Sequence, residues 1–120
     1  MRKISLIILC ALPNLLIAQP NTEIYVFDLI QSDSGYTITN PINITHQNPG
    51  YDNQPHFTTS DDLLFVSTRQ GQTDVVKVDL DNYDWEWLTN TSGSEYSPTS
   101  IPGKKAFSAI NLEPDGTQLL

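Results

Sequence analysis

Two short segments carry the residue types best suited to recognising another molecule. Each places an acidic residue beside a tyrosine, and the two acids, Asp52 and Glu95, are 43 residues apart. A carboxylate binds cations and hydrogen-bond donors, and a tyrosine adds apolar contact with a hydroxyl at its tip. We predict a binding site for a protein or a small ligand, with loop capping by Asp52 and Glu95 as the alternative. The predicted site residues are Tyr51, Asp52, Asn53 and Gln54 in the first segment, and Glu95 and Tyr96 in the second.

Motifs for catalysis are missing from these 120 residues. The sequence contains no G-x-S-x-G, H-E-x-x-H, G-x-G-x-x-G or phosphate-loop pattern. His46 and His56 are the only histidines, and a general base needs an organised partner that neither has in the sequence. His56 follows Pro55 at the start of an expected strand, which favours a packed or rim position. We therefore expect a non-enzymatic chain with no catalytic residue and no cofactor.

A segment rich in oxygen donors runs from residue 79 to residue 84. It contains Asp79, Asp81, Asn82 and Asp84. Carboxylates suit calcium, but the glycine and the distal glutamate of an EF-hand loop are absent. The same composition is typical of a polar turn between two strands. We favour the turn and predict no metal site.

Two side-chain pairs are expected to support the structure. Arg69 and Asp74 flank a predicted hairpin turn, and an exposed ion pair across it would contribute less than about 1 kcal/mol. Trp85 and Trp87 are two residues apart and therefore share one face of a strand. We expect them to pack in the core, with an exposed binding pair as the alternative.

The first 18 residues are typical of a signal peptide. Arg2 and Lys3 precede an apolar stretch over residues 4–17, and Ala18 suits the cleavage point. The stretch is too short and interrupted for a membrane-spanning helix, which needs about 20 apolar residues. We predict a periplasmic or secreted protein, with a retained anchor as the alternative. Cleavage would remove Cys10, the only cysteine, so the mature chain would form no disulfide.

Removal of the signal peptide would leave a strongly acidic chain. All 14 acidic residues lie beyond Ala18, together with four basic ones, which gives a net charge of −10. Without a basic patch, we expect no binding to nucleic acid or to an anionic membrane surface. We also expect no stable membrane insertion after cleavage.

An internal repeat organises the rest of the sequence. Residues 22–29 match residues 73–80 at a spacing of 51, and residues 44–55 match residues 88–98 at a spacing of 43 or 44. The matched pairs in the second set are Ile44 with Leu88, Thr45 with Thr89, Gly50 with Gly93, Asp52 with Glu95, and Pro55 with Pro98. A period of about 40–45 residues built from short strands is typical of β-propeller blades.

Strand patterns fill these repeats, and no helical pattern lies in the mature chain. We predict strands over residues 23–29, 55–59, 63–67, 74–80 and 85–88, with turns at 69–72 and 81–84. The run at 63–67 is continuously apolar, the one at 74–80 is rich in valine, and the one at 85–88 alternates.

These stretches resemble the TolB-like family of β-propeller repeats. The matching stretches are YDNQPHF at 51–57, FVSTRQGQTDVV at 65–76, LTN at 88–90 and, in the second copy, GSEYSP at 93–98. The family usually has Ser-Pro-Asp-Gly after the first strand, where this chain has TSDD at 59–62 and IPGK at 101–104. The resemblance implies an all-β fold, a β-propeller of four-stranded antiparallel blades with six blades in the full-length protein.

The repeat divides the chain into about two and a half blades. We expect residues 22–45 to form the outer half of a first blade, residues 46–90 a complete blade and residues 91–120 the start of the next. A closed ring needs at least about four blades, so we expect the N-terminal part of a longer, monomeric protein. A distant strand is expected to pair with residues 22–29 and close the ring.

The resemblance also indicates where binding would occur and leaves three functions open. It places segments 51–54 and 94–97 in loops at the mouth of the central channel. We predict a non-enzymatic scaffold that binds a protein or ligand in the periplasm or cell envelope. The alternatives are the N-terminal propeller of a prolyl-oligopeptidase-like serine hydrolase or of an OmpA-like peptidoglycan-binding protein. Sequence beyond Leu120 would distinguish them, because only the hydrolase needs a Ser-His-Asp set there.

Overall fold

The computed structural model describes residues 21–119, and the predicted signal peptide at residues 1–18 lies outside this range. Within it the chain forms nine strands in three antiparallel sheets, and no helix is present. The predicted all-β class is confirmed, and none of the described sheets closes on itself. No helix in residues 21–119 is long and apolar enough to cross a membrane.

The first sheet is a two-stranded hairpin. It pairs β1 (Tyr25–Ser32) with β2 (Gly35–Asn43). Aromatic and β-branched residues favour these strands, yet most of their large apolar side chains are exposed. The exposed ones are Tyr25, Phe27, Leu29, Ile30, Tyr36, Ile38 and Ile42. An isolated hairpin is marginally stable in water, and the second edge of β1 has no partner strand among residues 21–119.

The second sheet has four strands and contains most of the buried apolar residues. Its order is β3 (Asp52–Phe57), β4 (Asp62–Arg69), β5 (Gln72–Asp79) and β6 (Trp85–Trp87). The central strands β4 and β5 are buried along most of their length, which fits their continuous apolar runs. Gln70 and Gly71 form the two-residue turn between them, and both have positive φ, as the twist of a tight hairpin requires.

The third sheet packs beside the second. It consists of β7 (Ser94–Ser100), β8 (Phe107–Leu112) and β9 (Gln118–Leu119), and β7 lies against β3, β4 and β5. The three sheets fall within the segments 22–45, 46–90 and 91–120 that the repeat delimits.

The predicted first strand at residues 55–59 is shifted in the structure. Strand β3 begins at Asp52 and ends at Phe57, because Asp52 already pairs with Ser67 of β4. The register then shifts between Asn53 and His56, so Pro55 lies in a β-bulge. A proline, which has no N–H, is tolerated at such a bulge.

A small apolar core joins the first two sheets. Ile24 and Ile44 at the ends of the hairpin pack with Leu63, Phe65, Val76 and Val78 of the second sheet. Trp85 packs edge-on against Phe65, with ring centroids 5.0 Å apart, and its indole N–H donates to the Ile44 carbonyl at 3.0 Å. Trp85 therefore anchors the hairpin to the second sheet, in agreement with its predicted core role.

Candidate functional site

The predicted segments 51–54 and 94–97 lie at equivalent positions of two neighbouring sheets. Strands β3 and β7 each contain a β-bulge at the same position of the repeat. Gln54 and Ser97 lie within these bulges in the left-handed conformation, with φ of 57° and 52°. The two bulges touch, because the Oε1 of Gln54 accepts a hydrogen bond from the Ser97 N–H at 2.6 Å.

The loop placement predicted for these segments is wrong for most of their residues. Asp52, Asn53 and Gln54 lie in β3, Glu95 and Tyr96 lie in β7, and Tyr51 comes directly before β3. Backbone pairing of Asp52 with Ser67, and of Glu95 with Asn111, extends both strands over positions that the sequence pattern assigned to loops. The role of these residues in binding stays a prediction.

The two acids are buried, not presented at an open mouth. Asp52 and Glu95 expose 1% and 3% of their surface. Glu95 accepts hydrogen bonds from the Thr89 hydroxyl at 2.8 Å, from the Asn111 amide at 3.1 Å and from the Thr91 hydroxyl. The alternative of a capping role therefore describes Glu95 well.

Glu95 belongs to a network that we call the second junction, formed by Asp74, Thr89 and Glu95. The Thr89 hydroxyl accepts the Val75 N–H at 2.8 Å and lies between the two carboxylates, 3.4 Å from Asp74 and 2.8 Å from Glu95. The Thr73 hydroxyl donates to the Glu95 carbonyl at 2.9 Å. These bonds connect the second sheet to the third.

The same positions of the repeat form a first junction of Glu23, Thr45 and Asp52. The Thr45 hydroxyl accepts the Ile24 N–H at 2.9 Å and donates to Glu23 at 2.7 Å. The Asp52 N–H donates to the Thr22 carbonyl at 3.2 Å. The sequence repeat thus corresponds to a repeated pair of contacts of the threonine hydroxyl, with a backbone N–H and with an acid, whereas the bonds that reach the next sheet differ.

The first junction lacks the donors that satisfy the second. Neither carboxylate oxygen of Asp52 has a hydrogen-bond partner in the described part of the chain. Burial raises the pKa of Asp52 to about 6, the nearby charge of Glu23 adds to the increase, and the Ser67 hydroxyl and Asn48 amide oppose it. The Asn48 amide donates to the Ser67 hydroxyl at 2.7 Å, and both groups lie near Asp52 without hydrogen-bond geometry to its oxygens. The carboxyl group of Asp52 is therefore buried without a hydrogen-bond partner in the described part of the chain.

A cation completes the second junction. The Nε of Arg69 donates to Asp74 at 3.1 Å. Its Nη2 lies 3.0 Å from the same carboxylate and donates to the Thr89 carbonyl and the Asn90 side chain, each at 3.1 Å. Its guanidinium carbon lies 4.3 Å from the centre of the Trp87 ring. The predicted pairing of Arg69 with Asp74 is present, but the expectation of an exposed pair is wrong. Asp74 is fully buried, and the Arg69 side chain is 29% exposed.

No lysine or arginine within residues 21–119 forms an ion pair with Glu23. Glu23 is exposed and accepts the Asn43 amide at 3.1 Å in addition to the Thr45 hydroxyl. In the second junction the cation comes from β4, which pairs with β5. The corresponding edge of β1 is unpaired in this part of the chain, so the first junction lies open beside it.

His56 and the aspartate-rich segment have local roles. The Nε2 of His56 lies 2.9 Å from the Ser100 hydroxyl and links the second and third sheets. Asp79 accepts the Asp81 N–H at 2.8 Å and Asn82 accepts the Asp84 N–H at 2.9 Å, which stabilises the turn. Among the described residues no three His, Cys, Asp or Glu side chains are grouped to hold a metal ion.

A cavity of about 410 Å³ lies between the β3–β4 turn and the β7–β8 turn. Its polar lining includes Lys77, Lys104, Lys105, Thr58, Thr59 and Ser60. Three of the four basic residues beyond Ala18 thus line one cavity, although Asp62 and Glu86 also line it and Lys77 pairs with Glu86 at 2.7 Å. The acidic net charge does not reveal this local cluster.

Comparison with known proteins gave no match to any family model, any curated protein or any solved structure.

Proposed function

We propose that this chain is part of an exported, TolB-like β-propeller that acts as a non-enzymatic protein-binding scaffold in the periplasm or cell envelope. The observation that carries the proposal is the repetition of the bulge and the junction in consecutive sheets, 43 or 44 residues apart. That spacing is typical of propeller blades. The signal-like residues 1–18 support export.

The free edge of β1 is the binding surface that we propose, with a separate partner protein in place of the ring-closing strand expected from the sequence. Residues 22–29 match residues 73–80, so β1 corresponds to β5, which has β4 on one side and β6 on the other. β1 has β2 on one side and no strand on the other among residues 21–119. An extended segment that pairs with this edge would occupy the place that β4 occupies in the second sheet.

The exposure of apolar side chains on β1 supports the addition of a strand at this edge. Val76 and Val78 of β5 are fully buried, whereas the matched residues Tyr25 and Phe27 are 51% and 50% exposed. In the second sheet Phe65 and Leu63 of β4 lie opposite the two valines. We therefore propose an apolar strand like β4, antiparallel to β1, as the partner. Pairing would bury apolar surface and would also give hydrogen-bond partners to the backbone N–H and C=O groups at the free edge of β1.

Strand addition can be tested with the 120-residue chain and a synthetic peptide of residues 61–70. We expect the peptide to bind and to slow amide hydrogen exchange in β1, while β4 and β5 stay protected as in the free chain. A peptide of the same composition in scrambled order is the control. Absence of binding, or protection confined to other strands, would contradict the proposal. In a Phe27→Lys variant the peptide should bind at least about tenfold more weakly, because the variant places a charge under the added strand.

A second candidate function, capture of a small organic anion, is favoured by the lysine-lined cavity. Leu64 and Phe107 provide apolar walls beside Lys104 and Lys105. Phenyl phosphate is a suitable probe, because it combines an apolar ring with an anion. Saturable chemical-shift changes at the cavity, abolished by the double substitution Lys104→Gln and Lys105→Gln but not by Asp115→Asn, would support this function. No saturable change would exclude it for this ligand class.

A further inference from the structure

We infer that the free edge of β1 carries a guanidinium-binding site centred on Glu23, so that it selects an added strand by an arginine. The inference rests on the proposed strand addition and specifies the chemistry of the partner. It follows from a comparison of the two junctions. Both have a backbone N–H bound to the threonine hydroxyl and that hydroxyl beside an acid, but they differ in charge compensation.

The second junction shows how such an arginine is held. Arg69 lies at the end of β4 and contacts a carboxylate, a backbone carbonyl and an amide oxygen at once. The carbonyl belongs to Thr89, whose hydroxyl also binds Glu95. A planar guanidinium can make these contacts together, whereas a lysine ammonium is a point charge without that fork. The arrangement therefore specifies arginine.

The first junction retains the central part of this arrangement. Glu23 lies in the place of Asp74, and the Thr45 carbonyl lies in the place of the Thr89 carbonyl. The Thr45 carbonyl accepts the Asn48 N–H at 3.1 Å and keeps a second lone pair for another donor. The Glu23 side chain is exposed and its contacts are neutral donors, so its negative charge has no cation partner in the described range.

The surroundings of Asp52 also favour a positive group at Glu23. It is 99% buried and both of its oxygens lack a hydrogen-bond partner among residues 21–119, whereas the equivalent Glu95 has three donors. The negative charge of Glu23 is close enough to disfavour ionisation of Asp52. A guanidinium bound at Glu23 would offset this repulsion between the two carboxylates.

The register of the second sheet predicts the position of the arginine along the partner strand. Arg69 lies opposite Gln72, and Phe65 and Leu63 lie opposite the valines that match Tyr25 and Phe27. Gln72 matches Asn21 at the spacing of 51 residues. The partner strand should therefore carry apolar residues opposite Phe27 and Tyr25 and an arginine opposite Asn21, in the order apolar-x-apolar-x-x-x-Arg.

One interaction of the second junction is not reproduced. Asn43 matches Trp87, and His46 matches Asn90. The arginine in the first junction would therefore lack the aromatic face that Arg69 has at 4.3 Å. Binding of the partner's arginine then depends on the Glu23 carboxylate and the Thr45 carbonyl. A substitution that removes the charge of Glu23 is therefore the decisive test.

A charge-deletion cycle tests the inference on the 120-residue chain. The probes are the peptide of residues 61–70 and the same peptide with citrulline, a neutral analogue of arginine, at its single arginine position. We expect the arginine peptide to bind the unmodified chain about tenfold or more tightly than the citrulline peptide, a ratio worth about 1.4 kcal/mol. In Glu23→Gln the ratio should fall to about one. Glu113→Gln, which changes an acid remote from β1, should keep the full ratio.

The possible results distinguish failure of the arginine inference from failure of the proposed strand addition. Equal binding of both peptides, with protection of β1 amides, would overturn the arginine inference and leave strand addition intact. Absence of binding by either peptide would overturn both. A ratio that persists in Glu23→Gln would place the arginine elsewhere and also overturn the inference. Hydrogen exchange of β4 and β5 in each variant verifies that the chain is folded, which is expected because Glu23 is exposed.

Discussion

The side-chain oxygen of Gln54 accepts a hydrogen bond from the backbone N–H of Ser97 at 2.6 Å, and both residues are in the left-handed conformation. They occupy the same position of two successive repeats. A residue other than glycine in this conformation costs about 1–2 kcal/mol. The contact between the bulges aligns β7 against β3 and so sets the spacing of the two junctions.

The left-handed backbone predicts that Ser97→Gly stabilises the protein. Glycine removes the Cβ strain but increases the entropy of the unfolded chain, so we expect a net gain of about 0.5 kcal/mol in the free energy of unfolding. Gln54→Ala keeps the strain and loses the hydrogen bond, so it should cost about 1 kcal/mol. Chemical denaturation measures both changes. A loss of stability in Ser97→Gly would show that the Ser97 side chain has a further role.

The unpartnered carboxyl group of Asp52 predicts a specific pH dependence. Its pKa is raised from 3.8 to about 6 in the folded chain, so between these values the folded state binds more protons than the unfolded state. The free energy of unfolding should therefore decrease as pH rises from about 4 to about 6, with Asp52 contributing up to about 3 kcal/mol. Asp52→Asn should remove this contribution and be more stable than the unmodified chain at pH 7.5.

Glu95→Gln is the matched control, because Glu95 holds the same position of the second repeat. Its carboxylate accepts bonds from Thr89, Thr91 and Asn111. Loss of the charge should weaken these bonds and cost about 1–3 kcal/mol at pH 7.5. Unfolding monitored by tryptophan fluorescence at several pH values compares the two variants. Destabilisation of both at neutral pH would refute the contrast between the junctions.

The burial of Asp74 in its ion pair with Arg69 predicts that Arg69→Met is strongly destabilising. Its removal would leave the Asp74 carboxylate, whose side chain is 1% exposed, without a cation. Breaking a buried pair in this way costs about 3–5 kcal/mol. The double variant Arg69→Met with Asp74→Asn should recover part of the loss, since no uncompensated charge remains. Urea titrations of the single and double variants measure this recovery.

Lys77→Met provides the comparison for an exposed pair. Lys77 and Glu86 are 2.7 Å apart, but their side chains are 34% and 62% exposed. We expect this substitution to cost less than about 1 kcal/mol. Equal effects of Arg69→Met and Lys77→Met would contradict the assignment of different burial to the two pairs.

The anchoring of the hairpin predicts a local effect of Trp85→Phe. The substitution removes the hydrogen bond to the Ile44 carbonyl and retains an aromatic ring against Phe65. We expect a cost of about 1 kcal/mol, seen mainly as faster amide hydrogen exchange in β1 and β2. Exchange in β4 and β5 should change less. A uniform increase across all strands would show that the hairpin does not open separately.

Local patterns were sufficient to predict the central strands and the all-β class. The apolar run at 63–67 lies within β4, the valine-rich run at 74–80 lies in β5 except for Leu80, and the alternation at 85–88 overlaps β6. These predictions succeed because burial of both faces of a strand leaves a continuous apolar signal in its own residues. The loop placement of Asp52 and Glu95 failed because backbone pairing with another strand extended β3 and β7.

The sequence by itself determined the repeat, its two spacings of 51 and of 43 or 44 residues, and the residue types at equivalent positions. Only the tertiary structure decided which carboxylates are compensated. Asp74 is buried and paired because β4 brings Arg69 across the hairpin, whereas Glu23 has the same place in the repeat and no such neighbour within the described residues. The energy of a carboxylate depends on the donors and cations that distant strands place around it, and spacing along one strand does not contain that information.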